Sequence, residues 1–283
     1  NVSDYGGALD YHSNTLPTLT DCLIVGNTAR VGEGGGVCGF ANGHATLVNC
    51  ILSGNSAGAF GGAAYVSAAA LTMTNCTVCE NTAVLTGGGI TCNSASQASI
   101  TNTLFWRNTR YGVDEHEAGS DPVLTNCLFY DNPDGDLRDE AVTVLSGAAA
   151  INALAGNSGN VDGDPRLLRS GSTADSGVWT SAPSYDADTH ATTLTAAPGS
   201  FVSGALAGCV INPNASQVRQ ALVIGNTDAQ IVVAGDATGF AHESDSYVMI
   251  DYRLTSGSGA LDAATAAGAP AVDIVGQARP VDI

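Results

Sequence analysis

Along the first half of the chain, apolar and polar positions alternate in short runs that lose phase at one fixed place and then resume. Five segments show this and align without gaps: LPTLTDCLIVGN (16–27), HATLVNCILSGN (44–55), ALTMTNCTVCEN (70–81), QASITNTLFWRN (97–108) and DPVLTNCLFYDN (121–132). Their closing asparagines, Asn27, Asn55, Asn81, Asn108 and Asn132, are 28, 26, 27 and 24 residues apart. Three residues before each closing Asn stand Ile24, Leu52, Val78, Phe105 and Phe129. Five before stand Cys22, Cys50, Cys76, Thr103 and Cys127, and eight before stand Leu19, Leu47, Met73, Ile100 and Leu124. A separation of two is strand alternation. A separation of three is a slip, and at the slip lie Asp21, Asn49, Asn75, Asn102 and Asn126.

A slip at a constant position in every repeat is what a corner between two short strands requires. Asn and Asp suit it because they tolerate left-handed backbone angles and bond to their own main chain. Stacked Asn side chains can also bond from one copy to the next. Gly pairs follow in phase at Gly34-Gly35, Gly61-Gly62 and Gly87-Gly88, with Gly6-Gly7 ahead of them, and mark a second corner where unusual angles cost little. Repetition at this period decides the fold before any motif does. A β-sandwich has no reason to repeat its corners so regularly, and helical solenoids need helix-period faces that are absent. The pattern predicts an all-β chain, a right-handed parallel β-helix with three short strands per coil of about 26 residues.

Particular motifs carry a family resemblance. Gly6-Gly7-Ala8-Leu9 fits a GGA[ILV] motif, and Phe105-Trp106-Arg107-Asn108 and Phe129-Tyr130-Asp131-Asn132 fit FxxN. In these the chain resembles bacterial right-handed β-helix surface proteins, including the polymorphic outer-membrane family. Gly61-Gly62-Ala63-Ala64 lacks the aliphatic residue, and Ile24, Leu52 and Val78 stand where the family has Phe. Gly159-Asn160-Val161-Asp162-Gly163-Asp164-Pro165 resembles the late GN-D-DP turn of such proteins. The run from Asp251-Tyr252-Arg253-Leu254 to Val281-Asp282-Ile283 resembles the end of choice-of-anchor Q β-helix proteins, stopping short of their closing DIGAYE. The resemblance covers 1–170 and 250–283, and implies an extracellular location on a bacterial cell surface.

Between those stretches the repeat is absent. Gln220–Ile224 and Gln230–Val233 flank Gly225-Asn226-Thr227-Asp228 and read as a hairpin with a polar turn. Thr192–Thr195 and Ser246–Ile250 supply further strands. The organisation is therefore parallel coils over 1–170, a small antiparallel β-module over 175–249 near the C-terminus, and a β-helix-associated segment over 250–283. The module is expected to cap the edge of the last coil.

Composition narrows the function. The nine basic residues are all Arg, against 27 Asp and Glu, for a net charge of −18. Phosphate neutralisation needs clustered cations, so nucleic acid is excluded as a partner. There is no apolar run long enough for a membrane span, and no basic-then-apolar leader opens the chain. Of eight Cys, the four at 22, 50, 76 and 127 share one inward slot on successive coils. Strands about 4.8 Å apart do not match a disulfide's Cβ spacing of about 3.8 Å, so these four are expected as buried thiols. Cys38, Cys79, Cys92 and Cys209 show no readable pairing. Cys76-Thr77-Val78-Cys79 has the CxxC spacing without a second half, and does not make a zinc site.

Candidate chemistry is sparse. Two acidic clusters stand out: Asp114-Glu115-His116-Glu117 with Asp121, and Asp131, Asp134, Asp136, Asp139 and Glu140. Calcium prefers carboxylate-rich loops, which makes Asp131, Asp134 and Asp136 the candidate ligands, and calcium the one cofactor to test. Arg107 and Arg110 flank the 114–117 loop, and Trp106 and Tyr130 point outward on adjacent coils as a stacking platform. The five His (12, 44, 116, 190, 242) share no spacing and read as surface residues. No catalytic residues are assigned. The leading expectation is a non-catalytic structural or adhesive β-helix, self-assembling through coil edges or joined to other surface proteins. The alternative is a carbohydrate-active enzyme, a polysaccharide lyase or glycoside hydrolase, or a glycan-binding module.

Overall fold

The structure, a computed structural model, describes residues 1–165, 176–217 and 219–250. These fall into two compact units, the first over the described residues to 165 and the second over those from 176. The C-terminal segment 251–283, expected to associate with the β-helix, lies outside the described residues, as does the junction 166–175.

The first unit is a parallel β-solenoid. Its strands stack into four sheets of four, seven, five and six strands. One full coil runs Thr28–Ala29, Val37–Phe40, His44–Val48 and Ile51–Ser53. The three expected strands are therefore joined by a fourth, only two residues long, between the closing Asn and the Gly-Gly corner. The inward slots stack as the sequence predicts. Leu19, Leu47, Met73, Ile100 and Leu124 are in register with one another, and so are Ile24, Leu52, Val78, Phe105 and Phe129. In the second row the Phe105 and Phe129 rings stack at 5.1 Å.

The slip residues Asp21, Asn49, Asn75, Asn102 and Asn126 all have left-handed φ angles, 52 to 55°. Just past them, Cys22, Cys50, Cys76 and Cys127 each donate through sulfur to the carbonyl two residues back, at 3.2 to 3.5 Å. Thr103 does the same through its hydroxyl at 3.1 Å, so a small donor, not sulfur chemistry, is what the slot selects. Cys22, Cys50, Cys76 and Cys127 are free thiols. Burial pushes Cys127 up to about 12, so it remains protonated and able to donate. At the Gly-Gly corner the two glycines have different tasks. Gly34 holds φ at 68°, whereas a Cβ on Gly35 would lie 2.4 Å from the Gly62 carbonyl oxygen of the next coil.

A further left-handed position precedes each closing Asn: Gly26, Gly54, Glu80, Arg107 and Asp131, at 52 to 61°. It swings the closing Asn inward. Asn27, Asn55, Asn81, Asn108 and Asn132 are all buried. Each of the first four donates its backbone N–H and its side-chain amide to Oδ1 of the next, at 2.9 to 3.3 Å. The amides of Asn55, Asn81, Asn108 and Asn132 also donate to Ile24, Leu52, Val78 and Phe105 carbonyls of the preceding coil.

Within the first unit the coils end by a change of direction. Thr143–Leu145 pairs antiparallel with Gly135–Asp139, and the helix Ala148–Asn152 follows, burying Ile151 in the core. The GN-D-DP turn has a physical role here. Gly159 takes the left-handed angle of the slip, with φ 68°. Asn160 fills the thiol slot, accepting from Cys127 N at 2.9 Å and donating to the Leu124 carbonyl at 2.9 Å. Asp162 accepts the free helix N–H of Ala148 at 2.7 Å.

The second unit is the antiparallel module the sequence predicts. Ala221–Asn226 and Gln230–Ala234 form the hairpin, with a bulge between Val223 and Gly225. Ala191–Thr195 and Ser246–Ile250 extend its seven-stranded sheet. Its core gathers around Trp179, whose ring stacks on Tyr247 at 4.3 Å and whose indole N–H donates to the Pro213 carbonyl at 2.8 Å.

Removing a middle rung of the Asn ladder orphans groups on both sides. Asn81→Ala leaves two donors of Asn55 unpaired in the core and removes a bond to the Leu52 carbonyl, and should cost about 4 kcal/mol in urea unfolding. Asn27→Ala, at the first rung, should cost about half as much.

Candidate functional site

The three candidate calcium ligands do not converge. Asp131 pairs with Arg107 at 2.9 Å, and Asp134 lies 3.8 Å from Arg110. Asp136 serves the fold: its Oδ1 accepts from Asn132 Nδ2 at 3.0 Å, and its Oδ2 accepts from Gly147 N, at the start of the helix, at 2.8 Å. Each candidate calcium ligand thus has a separate partner. Among the described residues no group of three His, Cys, Asp or Glu side chains is arranged to hold a metal ion. Arg107 and Arg110, expected beside the 114–117 loop, are drawn to these aspartates instead. Trp106 and Tyr130 are in register on adjacent coils, as predicted. The Arg107 guanidinium lies over the Trp106 ring at 4.9 Å, and neighbouring Leu104 and Leu128 are buried, so the platform is narrow.

The structure builds a different face, on the seven-stranded sheet of the solenoid. Outward positions along it run Cys38, Tyr65, Thr91, Asp114 and Arg138, each in register with the next. The Gly-Gly corners fold back against this face: a Cβ on Gly87 would lie 3.0 Å from Asp114 Cβ. Aromatic rings from several parts of the coil meet here in one row. His12 stacks on Phe40 at 5.2 Å, Phe40 meets Tyr65 at 5.7 Å, Tyr65 stacks on Phe60 at 6.1 Å, and Phe60 meets His116 at 4.8 Å. The Tyr65 hydroxyl is fixed by a bond from Asn93 Nδ2 at 2.8 Å. His12 and His116, read from sequence as plain surface residues, are the two ends of this row.

At its far end the row meets a polar cluster. Arg138 Nε donates to Asp114 Oδ1 at 2.6 Å, and Arg138 Nη2 lies 3.0 Å from His116 Nδ1. The guanidinium also covers the Tyr111 ring at 5.1 Å. Asp114 is 0% exposed, yet its Oδ2 has no hydrogen-bond partner among the described residues, with His116 Nδ1 at 3.7 Å. A buried carboxylate oxygen left open beside a ring nitrogen and a guanidinium is an unused acceptor at the end of an aromatic track.

One residue further on, Glu115 points inward, in register with Cys92. It is 1% exposed; Oε2 accepts from Glu140 N at 3.5 Å, and Oε1 meets no donor among the described residues. Burial first, then a hydrogen bond shared with Asp139 and the charges of Asp121 and Asp139, push its carboxyl up to about 7.

The family described as right handed beta helix region matches residues 6–162. No curated protein and no solved structure matches this chain.

A carboxyl at about 7 in the folded state, against about 4.3 unfolded, binds its proton more tightly when folded. The stability so gained is present below about pH 4 and is lost as pH rises toward about 7. Glu115→Gln stays neutral throughout. In thermal unfolding across pH 4 to 8 the variant and the parent should start close together, and the variant should melt progressively higher up to about pH 7. Parallel curves would contradict the assignment.

Proposed function

This chain belongs to the right-handed β-helix family, and on that footing we propose that it is a non-catalytic, extracellular adhesive module of a bacterial cell surface that holds a glycan along the outer aromatic row. The observation that carries the reading is the row itself, from His12 through Phe40, Tyr65 and Phe60 to His116. Its exposed and half-buried members, His12, Phe40, Phe60 and His116, offer apolar ring surface to the C–H faces of sugar rings, while the buried Tyr65 packs between Phe40 and Phe60. At one end His116 and Arg138, the latter held by the buried Asp114, offer polar groups to sugar hydroxyls. With a net charge of −18 the module repels acidic polymers, which favours a neutral glycan. The surface location rests on the motif resemblance to bacterial β-helix surface proteins. The structural half of the role rests on the solenoid, a stack that buries a continuous core between neighbouring coils.

Cleavage is the second reading, favoured by the raised carboxyl of Glu115 beside Asp139. A hydrolase needs two carboxyl groups facing each other across an open groove. Asp114 and Glu115 are 0% and 1% exposed and lie on opposite faces of one strand, so recognition is the stronger reading.

Phe40 and Phe60 are both half-buried, so each can be truncated without opening the core. On an array of neutral glycans the parent should bind, and Phe40→Ala with Phe60→Ala should weaken binding by roughly tenfold or more, at about 1 kcal/mol per lost ring contact. A folded parent that binds none of the array would refute the reading. Release of shorter sugars from the bound glycan would move the case to cleavage.

A further inference from the structure

The five-stranded sheet presents a second outer face of another character. Its outward residues form two ranks across five coils. One rank is Thr18, Thr46, Thr72, Ser99 and Val123; the other is Thr20, Val48, Thr74, Thr101 and Thr125. All ten are half-buried or exposed, and the positions between them, Leu19, Leu47, Met73, Ile100 and Leu124, point into the core. No charged side chain interrupts either rank, although the chain carries −18. Strand propensity alone does not account for this. The six-stranded sheet places Val25, Ser53, Cys79, Trp106 and Tyr130 along its corresponding outward rank.

The two ranks form a lattice. Neighbouring coils lie about 4.8 Å apart, and residues two apart on a strand about 6.6 Å apart. Every strand of the five is paired in parallel without a shift in register. β-Branched side chains are restricted at χ1, so the array has little side-chain entropy left to lose. Side-chain bonds along the slip corner, Asn49 to Asp21 and Asn102 to Asn75, fix the coils beside the ranks. His44, whose Nε2 lies 2.9 Å from Thr72 Oγ1, stands at the border of the array.

A rigid, uncharged, two-dimensional array is complementary to a surface that is itself periodic. Water oxygens on the prism face of hexagonal ice also repeat at two spacings, one close to the coil spacing of this sheet and the other somewhat longer than its two-residue repeat. We propose that this face binds ice. The Thr hydroxyls complete the hydrogen bonds of the outermost waters, and the methyls sit in the gaps between them. Val48 and Val123 keep the branched shape without the hydroxyl, and Ser99 keeps the hydroxyl without the methyl, so every lattice point stays occupied. This inference is independent of the glycan reading, which uses a different sheet.

The test is the gap between melting and freezing points of a single ice crystal in the purified protein, together with uptake of dye-labelled protein onto growing ice. The chain has no Lys and the amine of Asn1 donates to Asn27 Oδ1 at 3.0 Å, so the dye is carried on an appended tag. The parent should open a measurable gap, facet the crystal and coat the ice. Thr74→Tyr, at the centre of the array, should abolish all three effects, and Thr101→Tyr one coil on serves as a second array variant should the first misfold. Val84→Tyr, 63% exposed and away from the array, should behave as the parent does. A folded parent without a gap overturns the proposal. So does a folded array variant that keeps the parent's gap.

Discussion

The solenoid depends on how one buried amide per coil is satisfied. Where the chain turns inward after the strand that carries Ile24, Leu52, Val78, Phe105 and Phe129, a backbone N–H is left inside the stack, beside a strand carbonyl that accepts a further bond. A closing Asn supplies what both need: an oxygen that takes two donors from the coil before, and an amide nitrogen that gives one proton to that coil's carbonyl and one to the next Asn. Asp lacks the donors, Leu lacks both functions, and Gln is a methylene too long for the same geometry. The coil lengths differ, from 24 to 28 residues between closing asparagines, but the Asn register does not change. Length variation is absorbed both between the Asn and the Gly-Gly corner and in the turn that joins the seven-stranded to the five-stranded sheet.

That division of labour explains where the surface acquires character. The inward slots accept Ile, Leu, Val, Met or Phe with little discrimination, because each has only to fill a position between its neighbours above and below. Outward positions meet no such condition, and the three larger sheets have diverged: one gathers aromatic rings and a buried ion pair, one repeats Thr, and one carries mixed apolar residues around Trp106. A shared architecture says little about which of these faces is used.

Much of this fold was legible because its signals recur at fixed offsets. The slip asparagines, the inward rows and the Gly pairs could each be read from five aligned segments, and their backbone angles and registers follow. The left-handed position before the closing Asn was not legible. Gly26 and Gly54 hint at it, but Glu80, Arg107 and Asp131 occupy it elsewhere, and charged side chains do not signal φ near 55°. The aromatic row was hidden for a related reason. Tyr65 lies within a strand, Phe60 in a Gly-Gly corner and His116 just past a strand end, so no single spacing connects them. The contacts of Asp136 were not legible either, because a carboxylate that caps a ladder and a helix start resembles, in sequence, any other carboxylate of an acidic loop. Arg138 went unnoticed beside the closer-numbered Arg107 and Arg110, since strand pairing, not proximity in the chain, brings it to Asp114.

The Asn ladder has an orientation. From Asn27 to Asn132 each side chain turns its oxygen toward the preceding coil and its nitrogen toward the following one. Five amide dipoles therefore add head to tail along the solenoid axis, and in a buried environment each polarises the next. The positive end of that row falls at the last rung, where Asn132 Nδ2 meets the carboxylate of Asp136. The core thus carries a weak electrical axis with an anion seated at its positive pole. A coil inserted in the middle would lengthen the axis without disturbing either end, whereas a coil added after Asn132 would have to displace that anion first.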